Sequence, residues 1–177
     1  MTDQYGDEID PTLPQVVQDF LRSGAQLEEI RLDAGGNWTH EGLQFDNRRI
    51  IDLFSKNVGR TEGGTWVLEI GRFTYPIVVE DTGFFIERAD WAASPPRLEL
   101  SDGTRERLDI DSLQYAGEGK LYCRVKEGRF RARFKRPAYH SIIDHLRERD
   151  GEIVVVLGDR EITLGSTESP DDRSAPS

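Results

Sequence analysis

The sequence has little cysteine and no long apolar run. Only one of its 177 residues, Cys123, is a cysteine, so a framework of intramolecular disulfides is excluded and a reducing compartment is expected. No apolar stretch approaches the roughly 18 residues that a membrane helix requires, and the acidic N-terminus lacks the basic and apolar regions of a signal peptide. We therefore expect a cytoplasmic protein without a membrane partner.

Motifs of common enzymes and metal sites are also missing. The chain has no Gly-x-Ser-x-Gly elbow, Walker loop or dinucleotide fingerprint. His140 and His145 are five residues apart on a predicted helix, whereas two zinc ligands on one helix face are four apart. Cys123 is predicted on the inward face of its strand, where a thiol acts as a small apolar side chain. We expect no catalytic residue, no metal and no cofactor.

The composition is that of a globular protein with unevenly distributed charge. Apolar residues make up 36% and aromatic residues 9% of the chain, whose length is sufficient to bury a core. The formal net charge is −10, yet residues 124–136 carry seven basic side chains and one acidic side chain. This basic segment is an exception in an acidic chain and is therefore the candidate functional site.

Residues 120–135 form a predicted β-hairpin with its turn at Glu127 and Gly128. The resulting register pairs Lys126 with Arg129, Arg124 with Arg131, Tyr122 with Arg133, and Lys120 with Lys135. The opposite face carries the apolar pairs Val125/Phe130, Cys123/Ala132 and Leu121/Phe134. Like charges directly across a hairpin destabilise it by about 0.2–1 kcal/mol per pair, so we expect an anionic group over the basic face.

Two interpretations of the basic face stay open. Acidic side chains of residues 97–111 would neutralise it within the protein, namely Glu99, Glu106 and Asp109. Alternatively it binds an external anion, because arginine forks match phosphate or carboxylate oxygens and tyrosine offers a stacking face. The candidate ligand-binding residues are Tyr122, Arg124, Lys126, Arg129, Arg131 and Arg133. An anionic small molecule or an acidic protein segment fits better than long nucleic acid, which the acidic remainder would repel.

The apolar pattern predicts an α+β fold of antiparallel sheets packed on helices. The terminal segments are predicted as a disordered N-terminus at 1–9, a docking helix at 10–24 and a disordered tail at 167–177. Between them lie a first α+β repeat at 27–90, a connector and hairpin at 91–111, and a second α+β repeat at 117–166. Each repeat is a hairpin, a helix and a second hairpin. The first helix is predicted at about 47–58, with Asp46 or Asn47 as its cap, and the second at 137–149, ended by Asp150 and Gly151. The hairpin after the connector has predicted strands at 98–100 and 107–110, with Asp-Gly at its tip. Trp91, in the connector, is expected to line a groove.

Several motifs resemble a bacterial family known as domain of unknown function (DUF) 1285. They are residues 36–42, Ile50 to Phe54, Val79 to Asp81 with Phe84, Tyr122 to Val125, Gly128, Phe130, Arg136, Tyr139, and Ile142 with Ile143. The resemblance covers about residues 28–165 and implies an α+β fold of two repeated motifs, with a role in signalling as the expected function. The chain departs from the family at Leu27 to Glu29, where a Cys-Gly pair is usual, and at Asn47, where an arginine is usual.

Three hypotheses of function follow. The first is a non-enzymatic regulatory module, acting in signal transduction, that captures an anion on the basic face. The second is a hydrolase or transferase acting on a phosphorylated small molecule, with carboxylates such as Glu80 and Asp81 assembling near that face. The third is a purely structural interaction protein, which would expose an apolar patch or a sheet edge for pairing.

Overall fold

The computed structural model describes residues 8–166, and the chain divides into two compact units, Met1–Gly83 and Phe84–Ser177. Each unit combines helices with sheets in which antiparallel pairing dominates, so the predicted α+β class is confirmed. The disorder predicted for residues 167–177, and for residues 1–7 of the segment 1–9, lies outside the described residues.

The first unit contains two helices and two sheets. Helix α1 (Gln15–Arg22) precedes a four-stranded sheet of order β3-β2-β1-β7. Its strands are β1 (Ile30–Leu32), β2 (Trp38–His40), β3 (Leu43–Gln44) and β7 (Val78–Val79), the last of which is parallel to β1. Helix α2 (Arg48–Lys56) leads into the three-stranded antiparallel sheet of β4 (Val58–Arg60), β5 (Trp66–Ile70) and β6 (Phe73–Pro76).

The second unit is built on a seven-stranded sheet of order β10-β9-β8-β13-β12-β11-β17. Its strands are β8 (Phe84–Asp90), β9 (Arg97–Leu100), β10 (Arg105–Arg107), β11 (Gln114–Tyr115), β12 (Leu121–Val125), β13 (Phe130–Phe134) and β17 (Gly165–Ser166). Helix α3 (Arg136–Ile142) is followed by a three-stranded sheet of β14 (Leu146–Arg149), β15 (Glu152–Leu157) and β16 (Arg160–Thr163). The basic hairpin, β12 and β13, therefore lies inside a sheet rather than at its edge.

The core of the second unit covers one face of the seven-stranded sheet. Phe134, Ile86 and Leu100 are in register across β13, β8 and β9, and all three are buried. Trp91 stacks on Phe134 at 6.4 Å between ring centroids, and its indole N–H donates to Ser141 Oγ of α3 at 2.9 Å. The connector and α3 thus pack on this inward face, and the opposite face of the sheet is called the outward face below.

The second predicted helix is too long. It ends at Ile142, and Leu146–Arg149 is strand β14, because these residues pair with the start of β15 across the turn at Asp150 and Gly151. Both turn residues have positive φ, 54° and 81°, as the favoured two-residue hairpin turns require. Asp-Gly also ends helices, which is why the apolar pattern alone predicts a helix up to residue 149. The element after each helix is consequently a three-stranded sheet and not the predicted hairpin.

Helix α1 starts later than predicted and does not bury its apolar stripe. The residues after Pro11 form a turn in which the Leu13 amide donates to the Asp10 carbonyl at 3.3 Å, and Pro14 is the N-terminal cap. Val16 is 75% exposed, whereas Gln18 is buried and donates from its side-chain amide to backbone carbonyls of the preceding turn. In contrast, the predicted cap of α2 is confirmed, since Asn47 accepts a hydrogen bond from the Arg49 amide.

Asp10 links the segment before α1 to the loop between β4 and β5 by hydrogen bonds. Its carboxylate accepts hydrogen bonds from the hydroxyls of Thr12 at 2.6 Å, Thr61 at 2.5 Å and Thr65 at 2.6 Å. Desolvation raises the pKa of Asp10, but the hydrogen bonds from the three threonines outweigh it and hold the pKa well below its usual range. A carboxyl with a lowered folded pKa stabilises the fold above its unfolded pKa, and this contribution is lost as the pH falls.

Replacing Asp10 by Asn is therefore expected to lower the free energy of unfolding by about 1 kcal/mol at pH 7, since charge-assisted hydrogen bonds are lost. The deficit should shrink as the pH falls below about 4, where the unfolded wild-type chain takes up a proton at this carboxyl. Urea unfolding at pH 7, 4 and 3, followed by tryptophan fluorescence, measures the difference. A deficit that stays constant over this range would contradict the assignment.

A second prediction concerns Gly83, whose buried backbone lies against the indole ring of Trp66. A Cβ at this position would meet the ring at 2.4 Å, too close for any real contact. The Gly83→Ala variant should lose about 1–3 kcal/mol of unfolding free energy, because overpacking forces the ring to move. Gly35→Ala is the matched control, since its Cβ would come no closer than 3.2 Å to the Asn37 side chain and 3.3 Å to that of Asp33. Equal losses in the two variants by urea titration would refute the prediction.

Candidate functional site

The predicted register of the basic hairpin is confirmed. Tyr122 pairs with Arg133, Arg124 with Arg131, and two apolar pairs alternate with them, Cys123/Ala132 and Val125/Phe130. The turn lies at Glu127 and Gly128, which have φ of 59° and 80°, and the Arg129 amide donates to the Lys126 carbonyl at 3.2 Å. Two positive φ values at the central positions give the turn a twist that matches the strands.

The outward face of the hairpin combines cations with aromatic rings that they cover. The Arg131 guanidinium lies 4.2 Å from the ring centroid of Tyr122, and the Lys135 ammonium lies 5.8 Å from that of Phe85. Phe85 belongs to this face because it pairs with Arg133. Both rings are buried, and cation–π attraction holds the basic groups over them. The ring face of Tyr122 that is turned toward Arg131 is thus occupied within the protein.

Lys126 leaves the outward face and is neutralised internally. Its positive φ of 54° breaks the alternation of the strand, and its ammonium lies 2.6 Å from Asp102 Oδ2 and 5.6 Å from the ring centroid of Phe84. Burial raises the pKa of Asp102, but the hydrogen bonds from Lys126 and Thr104 outweigh it and lower that pKa. Phe84 pairs with Ala132, so Lys126 reaches toward the inward side of the sheet.

Other basic groups of the hairpin differ in how they are held. Lys135 forms a salt bridge with Glu87 at 2.6 Å, and Arg129 donates to the Lys126 carbonyl at 3.1 Å. Arg131 and Arg133 are half-buried, whereas Arg124 is exposed. Within residues 8–166 no carboxylate forms a salt bridge with Arg124. Internal neutralisation therefore accounts for Lys126 and Lys135 and leaves the side chain of Arg124 facing solvent.

A second group of arginines, not predicted from the sequence, lies on the same outward face. They are Arg88 of β8, Arg97 of β9, and Arg105 and Arg107 of β10. Arg97 faces Arg107, and Glu99 lies between Arg88 and Arg105 in the register. These positions alternate with Leu98 and Leu100, which are buried on the inward face. The segment 97–111 supplies carboxylates to Lys126, as one of the two interpretations proposed, but it is basic on its outward side.

A three-residue loop produces this arrangement. The Leu100 amide donates to the Thr104 carbonyl at 2.9 Å, and Gly103 has a φ of 81°, as in a type I turn followed by a bulge. The second strand therefore covers Arg105–Arg107, two residues earlier than the predicted 107–110. The spacing Arg-x-Arg at 105 and 107 is the sequence signal that would have revealed the group.

The connector lines a groove of about 410 Å³ in the second unit, and Trp91 lies in its wall as predicted. Pro95, Pro96, His145 and Arg160 are among the other residues that line it. The indole already stacks on Phe134 and lies 5.7 Å from the His145 ring, so both rings hold Trp91 in place. The groove is consequently a feature of core packing at the connector.

The remaining candidates for chemistry have structural partners. Glu80 accepts from Arg31 at 3.3 Å and from the Ala34 amide at 3.0 Å, and His40 lies 2.8 Å from Glu28. Among the described residues, no group of three or more His, Cys, Asp or Glu side chains is arranged to hold a metal ion. No helix in this part of the chain is long and apolar enough to cross a membrane.

Two solved structures share the arrangement of elements seen in this chain. A DUF1285 family protein from Shewanella baltica OS155 matches with a TM-score of 0.52 and 18% identity, over 68% of this chain and 94% of its own. One from Silicibacter pomeroyi DSS-3 matches with a TM-score of 0.53 and 17% identity, over 78% of this chain and 80% of its own. The chain has a DUF1285-like fold. No family model and no curated protein matches the sequence.

In this DUF1285-like fold the single thiol is expected to be unreactive. Cys123 is buried in β12, and desolvation, with smaller contributions from Glu106 and Asp109, raises the pKa of its thiol far above the usual range. At pH 8 a chromogenic thiol reagent should therefore modify Cys123 only after the chain unfolds. The rate of labelling with and without about 6 M urea measures this difference. Rapid labelling of the folded chain would contradict the placement.

Proposed function

We propose that this protein is a non-enzymatic regulatory module that captures an anionic group on the outward face of its basic hairpin. The observation that carries the proposal is the confirmed register, which aligns Arg124 with Arg131 and places Arg133 in the next row of the same face. Guanidinium groups match carboxylate and phosphate oxygens through paired hydrogen bonds. We further propose a role in signal transduction and a cytoplasmic location; the single, buried cysteine supports the location.

The anion is either a small molecule or an acidic protein segment. Arg124 is exposed, and Arg131 is already oriented by its contact with Tyr122, so less rotamer freedom is lost when a ligand binds. A long nucleic acid is disfavoured because the whole chain carries a net charge of −10, which repels an extended polyanion beyond the basic face. Compact or short ligands avoid this repulsion.

The enzyme alternative has less support. A hydrolase or transferase needs an available acid, base or nucleophile. The carboxylate of Glu80 is engaged by Arg31 and a backbone amide, and the thiol of Cys123 is buried. We therefore rank binding above catalysis.

A structural interaction role is the second candidate, and exposed apolar side chains favour it. Phe73 is 79% exposed and Leu43 is 77% exposed, both in the first unit. Large exposed apolar side chains are frequent at sites of protein association. This role is compatible with anion capture, because the two surfaces belong to different units.

We further propose that the two units are related repeats. The four-stranded sheet has the order β3-β2-β1-β7, and the seven-stranded sheet contains the order β13-β12-β11-β17. In both, the last strand is parallel to its neighbour, and a helix and a three-stranded sheet precede it in the chain. Two such units would arise naturally from duplication of one supersecondary block.

Binding is tested by a thermal-shift screen of nucleotides, inorganic pyrophosphate and acidic peptides at low salt. We expect at least one probe to stabilise the wild type, and the Arg124→Ala/Arg131→Ala variant to lose about tenfold or more in affinity, because two charge-assisted contacts of about 1.5–3 kcal/mol each are removed. Added salt should weaken binding, since exposed charges are screened.

The matched control is Arg48→Ala/Arg49→Ala, which removes the same charge from exposed positions of α2. Retained affinity in this control, together with loss in the hairpin variant, supports a specific site. Equal losses in both variants would show only a general effect of net charge, and no stabilisation by any probe would reject anion capture.

A further inference from the structure

The edge of the seven-stranded sheet at β10 combines free backbone groups with arginine side chains. β10 is the terminal strand of the sheet, so only β9 pairs with it among the described strands. The hydrogen bonds from Leu100 N to the Thr104 carbonyl and from Leu108 N to the Pro96 carbonyl fix which residues of β10 face β9. Along a strand, the backbone N–H and C=O groups of successive residues point alternately to one neighbouring strand and to the other. The backbone groups of Arg105 and Arg107 therefore point away from β9.

The side chains of these two residues are on the outward face of the sheet. Arg107 lies directly opposite Arg97, and Arg105 lies opposite Glu99, with which it forms a salt bridge at 2.8 Å. Within residues 8–166, no carboxylate forms a salt bridge with Arg97 or Arg107. On its other side Arg97 faces Asp90 of β8, whereas Arg107, on the edge strand, has only Arg97 opposite it. A carboxylate on an added strand, beside Arg107, would offset this contact between like charges.

Shallow grooves run between these side chains. One of about 330 Å³ lies among Arg88, Arg97, Glu99 and Arg105, and another of about 220 Å³ lies among Arg97, Arg105, Glu106 and Arg107. Both are bordered by Arg97 and Arg105, so they adjoin each other along the end of the sheet. The arginines therefore flank open space into which the side chains of an added strand would project.

We propose that β10 is a docking strand for an extended acidic segment of another protein. Such a segment adds one strand to the sheet by backbone hydrogen bonds with Arg105 and Arg107. Acidic residues at alternate positions then place their carboxylates on the outward face, beside the same two arginines. Charge complementarity selects an acidic polypeptide, and backbone pairing distinguishes it from a nucleic acid or a polyphosphate. The docking edge is separate from the basic hairpin and does not depend on anion capture there.

The test uses the full chain and a labelled heptapeptide, Thr-Glu-Val-Glu-Val-Glu-Thr, followed by fluorescence anisotropy. We expect saturable binding, and a loss of about tenfold or more in affinity for the Arg105→Gln/Arg107→Gln variant. The matched control is Arg48→Gln/Arg49→Gln, which removes equal charge from exposed positions of α2 and should leave peptide affinity within about twofold. Near-ultraviolet circular dichroism checks that both variants fold.

Two modified peptides test backbone pairing on the unmodified protein. One carries N-methyl groups on its glutamates and the other on its valines, so each removes donors from one edge of the added strand. Only one of the two should lose binding, and which one it is reports parallel or antiparallel addition. Equal affinity of both for the wild type would overturn the proposal, as would equal losses in the two arginine variants.

Two further outcomes would also overturn it. If the arginines only protect the edge from aggregation, the Arg105→Gln/Arg107→Gln variant will aggregate and the wild type will not bind the peptide. If a second copy of this chain occupies the edge, sedimentation velocity will show a dimer that excess peptide does not dissociate. A monomeric wild type that binds the alternating peptide, but not a peptide with its three glutamates in one block, supports the assignment.

Discussion

The register of the hairpin formed by β12 and β13 determines the rest of the second unit. Because side chains alternate with a period of two, a slip of one residue would expose the pair Cys123/Ala132 and bury Arg124 and Arg131. Burying a large apolar side chain contributes about 1.5–3 kcal/mol. Aligning like charges costs only about 0.2–1 kcal/mol per pair, so the apolar face decides the register and the basic face follows from it. Parallel pairing of Ala132 with Phe84 then extends this register to the rest of the sheet.

The same sheet separates charge in a chain whose net charge is strongly negative. The segment 97–111 has carboxylates on both faces of the sheet. Two of them, Asp102 and Glu106, turn toward Lys126 and neutralise this ammonium, which has left the outward face of the hairpin. The outward face carries arginines on five of its strands, β8, β9, β10, β12 and β13. Two carboxylates are also paired on the outward face, Glu99 with Arg105 and Glu87 with Lys135, and the net charge of the chain alone would not have indicated its arginines.

Local rules explain which features could be predicted from the sequence. The Glu127 and Gly128 turn, the cap at Asn47 and the α+β class depend on neighbours in the chain, and all three agree with the structure. The strand at Leu146–Arg149 could not be predicted, because Asp-Gly serves equally as a helix stop and a hairpin turn until a partner strand decides. The direction of Lys126 also depends on a partner, Asp102, which comes from another hairpin. The second arginine group was missed because a loop of three residues starts the second strand at Arg105 and not at the predicted Arg107.

The position of each arginine group in the sheet determines how a partner can approach it. The hairpin has a strand on either side, so its backbone is satisfied and only side chains on the outward face are accessible to a ligand. The anion capture proposed there depends on charge and is expected to weaken steeply with salt. β10 has one neighbour, and a ligand at that edge gains backbone hydrogen bonds that salt does not screen. One face of the sheet can thus offer two kinds of contact, side-chain charge at the hairpin and backbone pairing at β10. Salt weakens the first more than the second, and the order of the strands determines which contact is possible at each place.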